Sequence, residues 1–477
     1  MGYTFKQSAL VAAGVLAGAA LSMQFSSLAQ KPVAEGMPIE ELQQLARVYE
    51  VIKSDYVEEV DDRQLLMDAM GAMVASLDPH SAYLDPRAYR DLREGTEGRF
   101  VGLGVEISIS DEGYLHIISP IEDSPAARAG IMAGDLITRI DGASVKEMGV
   151  EQSITKMRGE PDTRVTLTIL RKGAPAALAV TVTRQQIVQK SVKAGMVEPG
   201  YAWLRISQFQ EPTLEDMATS IKLLYKQDPK LKGLVLDLRN DPGGILQSAV
   251  GVAAAFLPAD AEIVSTSGQR ADSKERFYGN PGGYSLGDGD ALADLPAALK
   301  TVPLVVLVNT GSASASEVVA GALQDYNRAA ILGSVTFGKG SVQTVRAMTP
   351  TTAVKLTTAR YYTPKGRSIQ ARGIVPDYLV DEYIDGDGLN GLRVREADLE
   401  KHLSNDRSEE VRASANDELE ERMRIFAAER TRKPLDFGSR DDFQLQQALR
   451  HLKGMPLTLS KASTRPTLAL SPQKAAR

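Results

Sequence analysis

Cysteine is absent from the 477 residues of this chain, and histidine is scarce. Without cysteine there is no disulfide, no thiol nucleophile and no thiolate metal site, and the redox compartment is left unconstrained. The four histidines are scattered without the spacing of metal ligands, and they are His80, His116, His402 and His451. We therefore expect no metal and no cofactor, and a nucleophile on this chain needs a base other than a neighbouring histidine.

Strong net charge and a membrane-spanning apolar run are also missing. A formal charge of −6 gives no electrostatic case for binding nucleic acid. A short apolar run, SALVAAGVLAGAALSM, follows Lys6 and precedes a small-x-small pair, Ser27 and Ala29. The run is shorter than the roughly 20 residues that span a bilayer, so residues 1–29 are predicted to be a secretory signal. We expect export to a bacterial periplasm, with a retained N-terminal anchor as the alternative.

Residues 30–97 are predicted to be an N-terminal helical region. Apolar residues recur at spacings of three and four over 38–56 and again over 61–77, as on one face of an amphipathic helix. The second helix ends at LDPHSAYLDP, where two prolines stop helical propagation. His80 lies in this turn and is interpreted as structural.

Residues 98–187 consist of short alternating strands and glycine-rich turns, with a helix predicted over 150–158. The segment resembles a PDZ domain: VGLGV (101–105) is similar to the carboxylate-binding loop of that family, and AGIMAGDLITRIDG (129–142) to its second signature. The resemblance implies that backbone N–H groups hold a free peptide carboxylate while the peptide adds as a strand to the sheet edge. A small β domain without a ligand is the alternative. The residues implied as lining the peptide site are Val101, Gly102, Leu103, Gly104 and Val105.

From 188 to 380 the chain alternates strands and helices, which predicts an α/β core with parallel strands. GLVLDLR (233–239) and VPLVVLV (302–308) are nearly continuous apolar strands of the buried parallel kind. The helix that precedes GLVLDLR is predicted to have Thr213 as its N-cap. The two strands are followed by the turns NDPGG and NTGSASASE. Ligand sites of such sheets lie at the carboxyl ends of the strands, so both turns are candidates for the functional site.

Residues 381–454 are predicted to be a C-terminal helical region with two amphipathic stretches, LEERMRIFAAER and FQLQQALRHLKG. Residues 455–477 are rich in Ser, Thr, Pro and Lys and are predicted to be a disordered tail. No motif after residue 380 indicates a function.

GSASASE (311–317) places three serines at alternate positions where a strand turns into a helix. A hydroxyl at such a turn can act as a nucleophile, because the helix N-terminus supplies unpaired N–H donors for a developing oxyanion. Serines at helix starts also serve as caps, and Ser316 is the best cap candidate. The stretch alone leaves both interpretations open.

FGKGSVQ (337–343) supplies a candidate base. An unperturbed lysine titrates near about 10.4, so Lys339 needs its pKa lowered by roughly three units to be neutral near neutral pH. Burial among apolar and neutral groups lowers a lysine pKa in this way, and no acidic residue lies between 326 and 350. Gln343 could hold the amine by a neutral hydrogen bond. The alternative is a solvated lysine in a surface loop.

Taken together, the motifs of residues 38–380 resemble the carboxy-terminal processing proteases, also called tail-specific proteases. The resemblance implies that Ser314 is the nucleophile, Lys339 its general base and Gln343 the residue that positions the lysine. The motifs that carry it are LDPHSAYL, the PDZ-like segment, GLVLDLRNDPGG, VNTGSASASEVVAGALQD, FGKGSVQTV and LTTARYYTPKGRSIQARGIVPD.

The same resemblance implies an oxyanion hole made by backbone N–H groups, which we assign to Gly243 or Gly244 together with Ala315. Asp237 and Arg239, in LDLRND, are interpreted as structural. The fold implied is an α/β protease core with an inserted PDZ-like β domain and helical segments at both ends.

The function implied is that of an exported serine endopeptidase that captures the C-terminal tail of a protein substrate and cleaves through an acyl-enzyme. Expected partners are protein substrates with exposed C-termini and further copies of this chain, with an adaptor protein as a further candidate. Membrane association is expected only through the N-terminal segment. Two alternatives are an inactive or adaptor-dependent PDZ scaffold and a small-molecule serine amidase or esterase. The PDZ-like segment argues against the second, because a small substrate needs no module that captures a tail.

Overall fold

The predicted signal over 1–29, the stretch LEERMRIFAAER and most of the tail over 455–477 lie outside the residues that the structure describes. The chain divides into two compact units, Met1–Met70 and Gly71–Arg477. Within the described ranges, no helix is long and apolar enough to cross a membrane. The computed structural model describes residues 38–110, 112–121, 123–287, 289–384, 393–407 and 435–458.

The helices and strands are numbered in chain order. The helices are α1 (Ile39–Asp55), α2 (Asp62–Ala75), α3 (Pro86–Glu97), α4 (Pro125–Arg128), α5 (Val145–Met157), α6 (Thr213–Gln227), α7 (Leu246–Phe256), α8 (Pro281–Tyr284), α9 (Ala315–Asp325) and α10 (Phe443–Leu452). The strands of the first half are β1 (Ala82–Leu84), β2 (Arg99–Gly102), β3 (Val105–Ile109), β4 (Leu115–Pro120), β5 (Leu136–Ile140), β6 (Ala143–Ser144), β7 (Arg164–Leu170), β8 (Leu178–Thr183) and β9 (Gln185–Val188). Those of the second half are β10 (Val192–Glu198), β11 (Tyr201–Ile206), β12 (Gly233–Asp237), β13 (Glu262–Gly268), β14 (Arg276–Tyr278), β15 (Leu304–Val308), β16 (Ala330–Gly333), β17 (Ser341–Ala347), β18 (Ala353–Tyr362) and β19 (Tyr378–Leu379).

The two N-terminal helices predicted from periodicity are confirmed as α1 and α2. No residue of α1 is buried. Its apolar side chains are exposed instead, with Ile39 at 63% and Leu45 at 57%. Among the described residues, this helix therefore presents an exposed apolar stripe.

The PDZ-like segment folds as an antiparallel sheet in the order β3-β4-β5-β7-β8, with β6 beside β5 and a separate pair of β2 and β9. Alternate strand residues fill its core, as the two-residue period of a strand requires. The predicted start of the helix over 150–158 is wrong. The helix α5 begins at Val145 and continues past a break at Gly149, where a φ of 75° suits glycine. The fully buried core residues include Leu115, Ile117, Ile137, Leu167 and Ile169.

The second half is built on a sheet in the order β10-β11-β12-β15-β16-β19, in which all pairs except β10 with β11 are parallel. Leu234 and Leu236 of β12 pack with the apolar residues of α6, α7 and α9 on one face. Val235 packs with Leu445 and Leu449 of α10 on the other. Because both faces of the sheet are covered, β12 and β15 consist almost entirely of apolar residues. The prediction of buried parallel strands is confirmed.

A second, antiparallel sheet lies around β18, which pairs with β1, β13 and β17. The strand β17 directly follows the glycine-flanked lysine. This sheet therefore fixes where the Lys339 loop ends.

The prediction of Thr213 as a helix N-cap is wrong. Pro212 occupies the N-cap position and Thr213 is the first residue of α6. The Thr213 hydroxyl instead accepts the N–H of Gln210 at 2.7 Å and pairs with the Ser191 hydroxyl at 2.8 Å. Its oxygen thus stabilises the preceding turn rather than the helix end.

Candidate active site

The loops after β12 and β15 lie side by side at the carboxyl edge of the parallel sheet, as predicted. Two hydrogen bonds between Asn240 and Asn309 join these loops. The Asn240 backbone N–H donates to Asn309 Oδ1 at 2.9 Å, and Asn309 Nδ2 donates to Asn240 Oδ1 at 2.9 Å. The two turns singled out from the sequence therefore form one site.

The three serines of GSASASE have different environments. Ser312 is fully buried and its hydroxyl donates to the Leu238 carbonyl at 2.7 Å. Ser316 is also fully buried and donates to the Asp241 carbonyl at 2.9 Å. Ser314 is the one of the three that lines a cavity. Burial and hydrogen bonding thus single out Ser314 as the accessible hydroxyl.

The predicted cap, Ser316, is wrong, because Ser314 occupies the N-cap position of α9. Its backbone has φ 55° and ψ −113°, a conformation rarely adopted by a residue with a side chain. Such strain is typical of a nucleophile on a sharp strand-to-helix turn. Gly243 makes this turn possible, since a Cβ there would lie 2.8 Å from the Ser314 Cβ.

A cavity of about 670 Å³ adjoins this turn. Ser314, Lys339 and Gln343 all line it, so the structure brings the three predicted catalytic positions together. Apolar side chains contribute to its wall, among them Leu92, Leu246, Phe277, Val342 and Val345.

The amine of Lys339 lies in a largely desolvated setting. Burial, followed by repulsion from Lys355, lowers its pKa to about 8, although Glu396, Glu317 and Asp78 act in the opposite direction. A lysine with such a pKa is partly neutral near neutral pH. The alternative interpretation of Lys339 as a solvated lysine in a surface loop is therefore wrong.

Glu317 connects the serine turn to the lysine loop, and sequence reasoning missed it. Its carboxylate accepts the backbone N–H of Ser314 at 2.8 Å, of Lys339 at 2.9 Å and of Gly338 at 2.7 Å. The hydroxyl of Thr336 is a fourth donor at 2.5 Å. Full burial raises the Glu317 pKa to about 7 in spite of these donors. A glutamate three residues after a capping serine was the available signal, since that spacing is typical of a capping box.

Gln343 faces the cavity from β17. Its Nε2 donates to the hydroxyls of Ser341 at 3.1 Å and Thr357 at 3.2 Å. These bonds orient the amide so that its oxygen remains as the acceptor for an amine. This geometry is compatible with the predicted positioning role.

The candidate oxyanion donors differ in availability. The N–H of Gly243 donates to Asp241 Oδ1 at 2.8 Å. Gly244 and Ala315 line the cavity, and within the described residues their N–H groups have no acceptor. Gly244 must be glycine, because a Cβ would lie 2.0 Å from the Phe209 carbonyl oxygen.

Asp237 and Arg239 lie behind the site in a fully buried ion network. Arg239 donates to Asp237 Oδ2 at 2.6 Å and to Asp442 Oδ2 at 2.6 Å. Neither Asp237 nor Arg239 lines the cavity. His80 likewise lies apart from the cavity lining, with its Nε2 2.7 Å from Glu396 Oε2. These contacts are those of structural residues.

The predicted peptide-binding loop lies between two pairs of strands. Val101 and Gly102 belong to β2, and Val105 begins β3. The carbonyl oxygens of Leu103 and Gly104 accept from Ala126 N and Ile121 N, each at 2.9 Å, which holds the loop in place. In the described part of the chain β3 is one of the two edge strands of its sheet, with β8 at the other edge. No described strand pairs with the outer side of β3, which is the arrangement that strand addition by a peptide requires.

Three families match parts of this chain. Residues 200–380 match Peptidase family S41, residues 116–171 match the PDZ domain, and residues 8–88 match the activating protease CtpB N-terminal domain.

Two sequence relatives and one solved structure are similar to this chain. A carboxy-terminal-processing protease of Bartonella bacilliformis is 39% identical over 446 residues, which cover 93% of this chain and 94% of that protein. A probable CtpA-like serine protease of Staphylococcus aureus is 36% identical over 344 residues, which cover 71% of this chain and 65% of that protein. A solved photosystem II D1 C-terminal processing protease is 31% identical, with a TM-score of 0.41, and the match covers 76% of this chain and 92% of that one.

Proposed function

This chain belongs to the carboxy-terminal-processing proteases of peptidase family S41, and from that premise we propose that it is an exported endopeptidase that cleaves with a Ser314–Lys339 dyad. The observation that carries the proposal is the convergence on one cavity of the accessible serine of GSASASE and a lysine whose pKa is lowered to about 8. None of the four histidines, all of which lie in the described part of the chain, lines that cavity.

In the proposed reaction the neutral Lys339 amine accepts the proton of the Ser314 hydroxyl. The Ser314 Oγ then attacks the carbonyl carbon of the scissile peptide bond. The N–H groups of Gly244 and Ala315 hold the oxyanion, because the Gly243 N–H is already bound by Asp241. The tetrahedral intermediate collapses to an acyl-enzyme as the Lys339 ammonium protonates the leaving amine. Lys339 then takes a proton from the water that hydrolyses the ester.

The PDZ domain is proposed to capture the free carboxylate of the substrate tail. Helix α3 supports a connection between this domain and the cavity. Its residues Leu92 and Thr96 line the cavity, while its Asp91 and Glu94 accept from Arg158 of the PDZ segment at 2.5 Å and 3.1 Å. If C-terminally amidated and free-acid forms of one substrate were cut at equal rates, carboxylate capture would be excluded.

The dyad is tested with the Ser314→Ala and Lys339→Ala variants and a loosely folded protein substrate. The wild-type chain is expected to cleave the substrate, and mass spectrometry identifies the new termini of the substrate fragments. Neither variant is expected to produce such fragments. Near-UV circular dichroism checks that both variants keep the native fold. Turnover by either purified variant would exclude the dyad, and an inactive wild type that still binds tails would favour the scaffold alternative.

Export and self-association are further parts of the proposal. The signal-like sequence of residues 1–29 supports export, and N-terminal sequencing of the periplasmic protein is expected to begin at Gln30. The exposed apolar stripe of α1 supports a homo-oligomer. Light scattering is expected to give a larger mass for the wild type than for a Leu42→Glu, Leu45→Glu variant, and equal masses would count against this surface. An adaptor protein stays a sequence-based prediction.

A further inference from the structure

A second lysine, Lys355, lines the cavity that contains Ser314 and Lys339, and the proposed reaction does not use it. Lys355 lies on β18 opposite Val345 of β17, two residues before Thr357, which lies opposite Gln343. Residues two apart on a strand share a face. The hydrogen bond from Gln343 to Thr357 shows that this face is the one turned toward Gln343 and the cavity.

Three buried carboxylates lie near Lys339, but each is occupied by other donors. Glu317 binds the backbone and hydroxyl donors described above. Glu396 Oε1 accepts from Gln370 Nε2 at 2.8 Å, and its Oε2 contacts the His80 ring. Asp78 accepts from the backbone of His80 and Ser81 and from the hydroxyls of Ser81 and Thr357.

In the described part of the chain no hydrogen bond joins the Lys339 Nζ to any of these acids. The groups that face Lys339 come from several elements: Glu317 from α9, Lys355 and Tyr361 from β18, Asp78 from the turn before β1, and Glu396 from the segment after residue 392. The Tyr361 hydroxyl donates to the Lys339 carbonyl oxygen. The protonated amine therefore gains no ion pair at hydrogen-bonding distance and has a like charge in its own cavity.

We propose that Lys355 is a positioning residue of the active site whose ammonium repels a proton on Lys339 and so keeps that amine in its basic form. This inference rests on the proposed dyad. A neighbouring cation is one of the known means by which a lysine becomes reactive at neutral pH. Repulsion from Lys355 is also the largest electrostatic contribution that lowers the Lys339 pKa, after burial itself.

The first test measures the protonation of Lys339 without using activity. In the Ser314→Ala background, the rate of acetylation of Lys339 is followed by mass spectrometry from pH 6 to about 11. The midpoint is the pH at which the acetylation rate of Lys339 reaches half of its maximum. Lys355→Met is expected to raise this midpoint by about 0.5 to 1 pH unit, which is the usual effect of losing a like charge in a partly solvated cavity. Lys355→Arg keeps the charge and should leave the midpoint unchanged. An unchanged midpoint in Lys355→Met would overturn the inference.

Lys230→Met is the matched control. Lys230 is exposed and lies before the amino end of β12, at the opposite edge of the sheet from the site. This substitution removes the same charge from the protein surface and should not change the pH midpoint of Lys339 acetylation. A shift equal to that of Lys355→Met would show a general charge effect and would also overturn the inference.

The second test is the pH profile of kcat/KM in the Ser314-intact protein. Loss of the Lys355 charge raises the pKa of Lys339, so a smaller fraction is neutral at pH 7. Activity there is expected to fall about three- to tenfold and to recover above about pH 10. A loss at every pH, confined to KM, would instead assign Lys355 to substrate binding and overturn the inference. Turnover by Ser314→Ala would refute the proposed function, while the acetylation midpoints would still decide the role of Lys355.

Discussion

Glu317 sets the geometry of both loops that carry the proposed dyad. One of its oxygens binds the N–H groups of Ser314 and Lys339, and the other binds Gly338 and Thr336. A single buried carboxylate thus fixes the backbone on both sides of the reacting atoms, although it does not line the cavity itself.

Replacing Glu317 by Gln keeps the size of the side chain but turns an NH₂ group toward backbone N–H donors. We expect kcat to fall by about 10²-fold, because a displacement of about 1 Å at a catalytic group costs on that order. KM should change little, since the cavity wall is intact. Steady-state kinetics with a fluorogenic peptide measures both. Glu262→Gln, which alters only a surface ion pair with Arg276, is the control, and a loss of kcat below about threefold would contradict the positioning role.

The lowered pKa of Lys339 should reduce the free energy of unfolding of the protein at neutral pH. Its pKa is lowered to about 8 in the folded chain, whereas the unfolded chain keeps a value near about 10.4, so the unfolded state binds more protons between these values. Stability of the wild type therefore rises with pH from about 8 to 10.4. Lys339→Met removes this dependence. Its free energy of unfolding, measured with urea at pH 7, should exceed that of the wild type by on the order of 3 kcal/mol.

The control for this prediction is the pH dependence itself. The advantage of Lys339→Met should shrink as the pH approaches 10.4 and both states become neutral. An advantage that is constant from pH 7 to about 10.5 would show that methionine packs better and that the lysine charge has no part in it.

At the scale of elements, the loop between β12 and α7 depends on two consecutive glycines. Gly243 has φ 99° and Gly244 φ 143°, and a Cβ on either would meet backbone or the Ser314 side chain at 2.8 Å or less. The loop approaches Phe209 and the serine turn closely, and Gly244 and Ala315 both line the cavity.

Gly244→Ala should therefore displace the proposed oxyanion donor. We expect kcat to fall by about 10² to 10³-fold, the usual cost of losing one such donor. Gly173→Ala is the matched control, because Gly173 also has a positive φ of 88° but has open space around a Cβ. Thermal unfolding of both variants measures the shared strain, and comparable kcat values for the two would argue against Gly244 as the donor.

Regular elements of this chain could be predicted because their signals are local. The buried strands β12 and β15 and the helices α1 and α10 follow from apolar runs and periodicity. The helix caps could not be predicted from the sequence. Thr213 and Ser316 have side chains suited to capping, but their hydroxyls bind partners outside the helix ends. Glu317 is similar, because three of its four donors lie in a loop about 20 residues away and only folding brings them to it.

At the scale of the whole chain, a C-terminal segment without a recognisable motif completes the protease core. Asp442 caps α10 and also binds Arg239, which lies two residues after the end of β12 and some 200 residues earlier in the chain. The Phe437 ring lies 4.7 Å from the Arg239 guanidinium and 4.0 Å from that of Arg205. The apolar face of α10 covers Val235 and Val305 of the central sheet. Sequence reasoning missed this role because a buried ion pair between distant segments leaves no local pattern.

Asp442→Asn should destabilise the whole core. It leaves the buried Arg239 with one carboxylate, Asp237, instead of two, and removing one partner from a buried ion network costs about 3–5 kcal/mol. Asp441→Asn is the matched control, since Asp441 is the adjacent residue but is exposed. Urea unfolding at pH 7 should show a much lower midpoint for Asp442→Asn and a wild-type midpoint for Asp441→Asn. Equal midpoints for the two variants would mean that the C-terminal segment packs on the core without stabilising the strand that leads into the site.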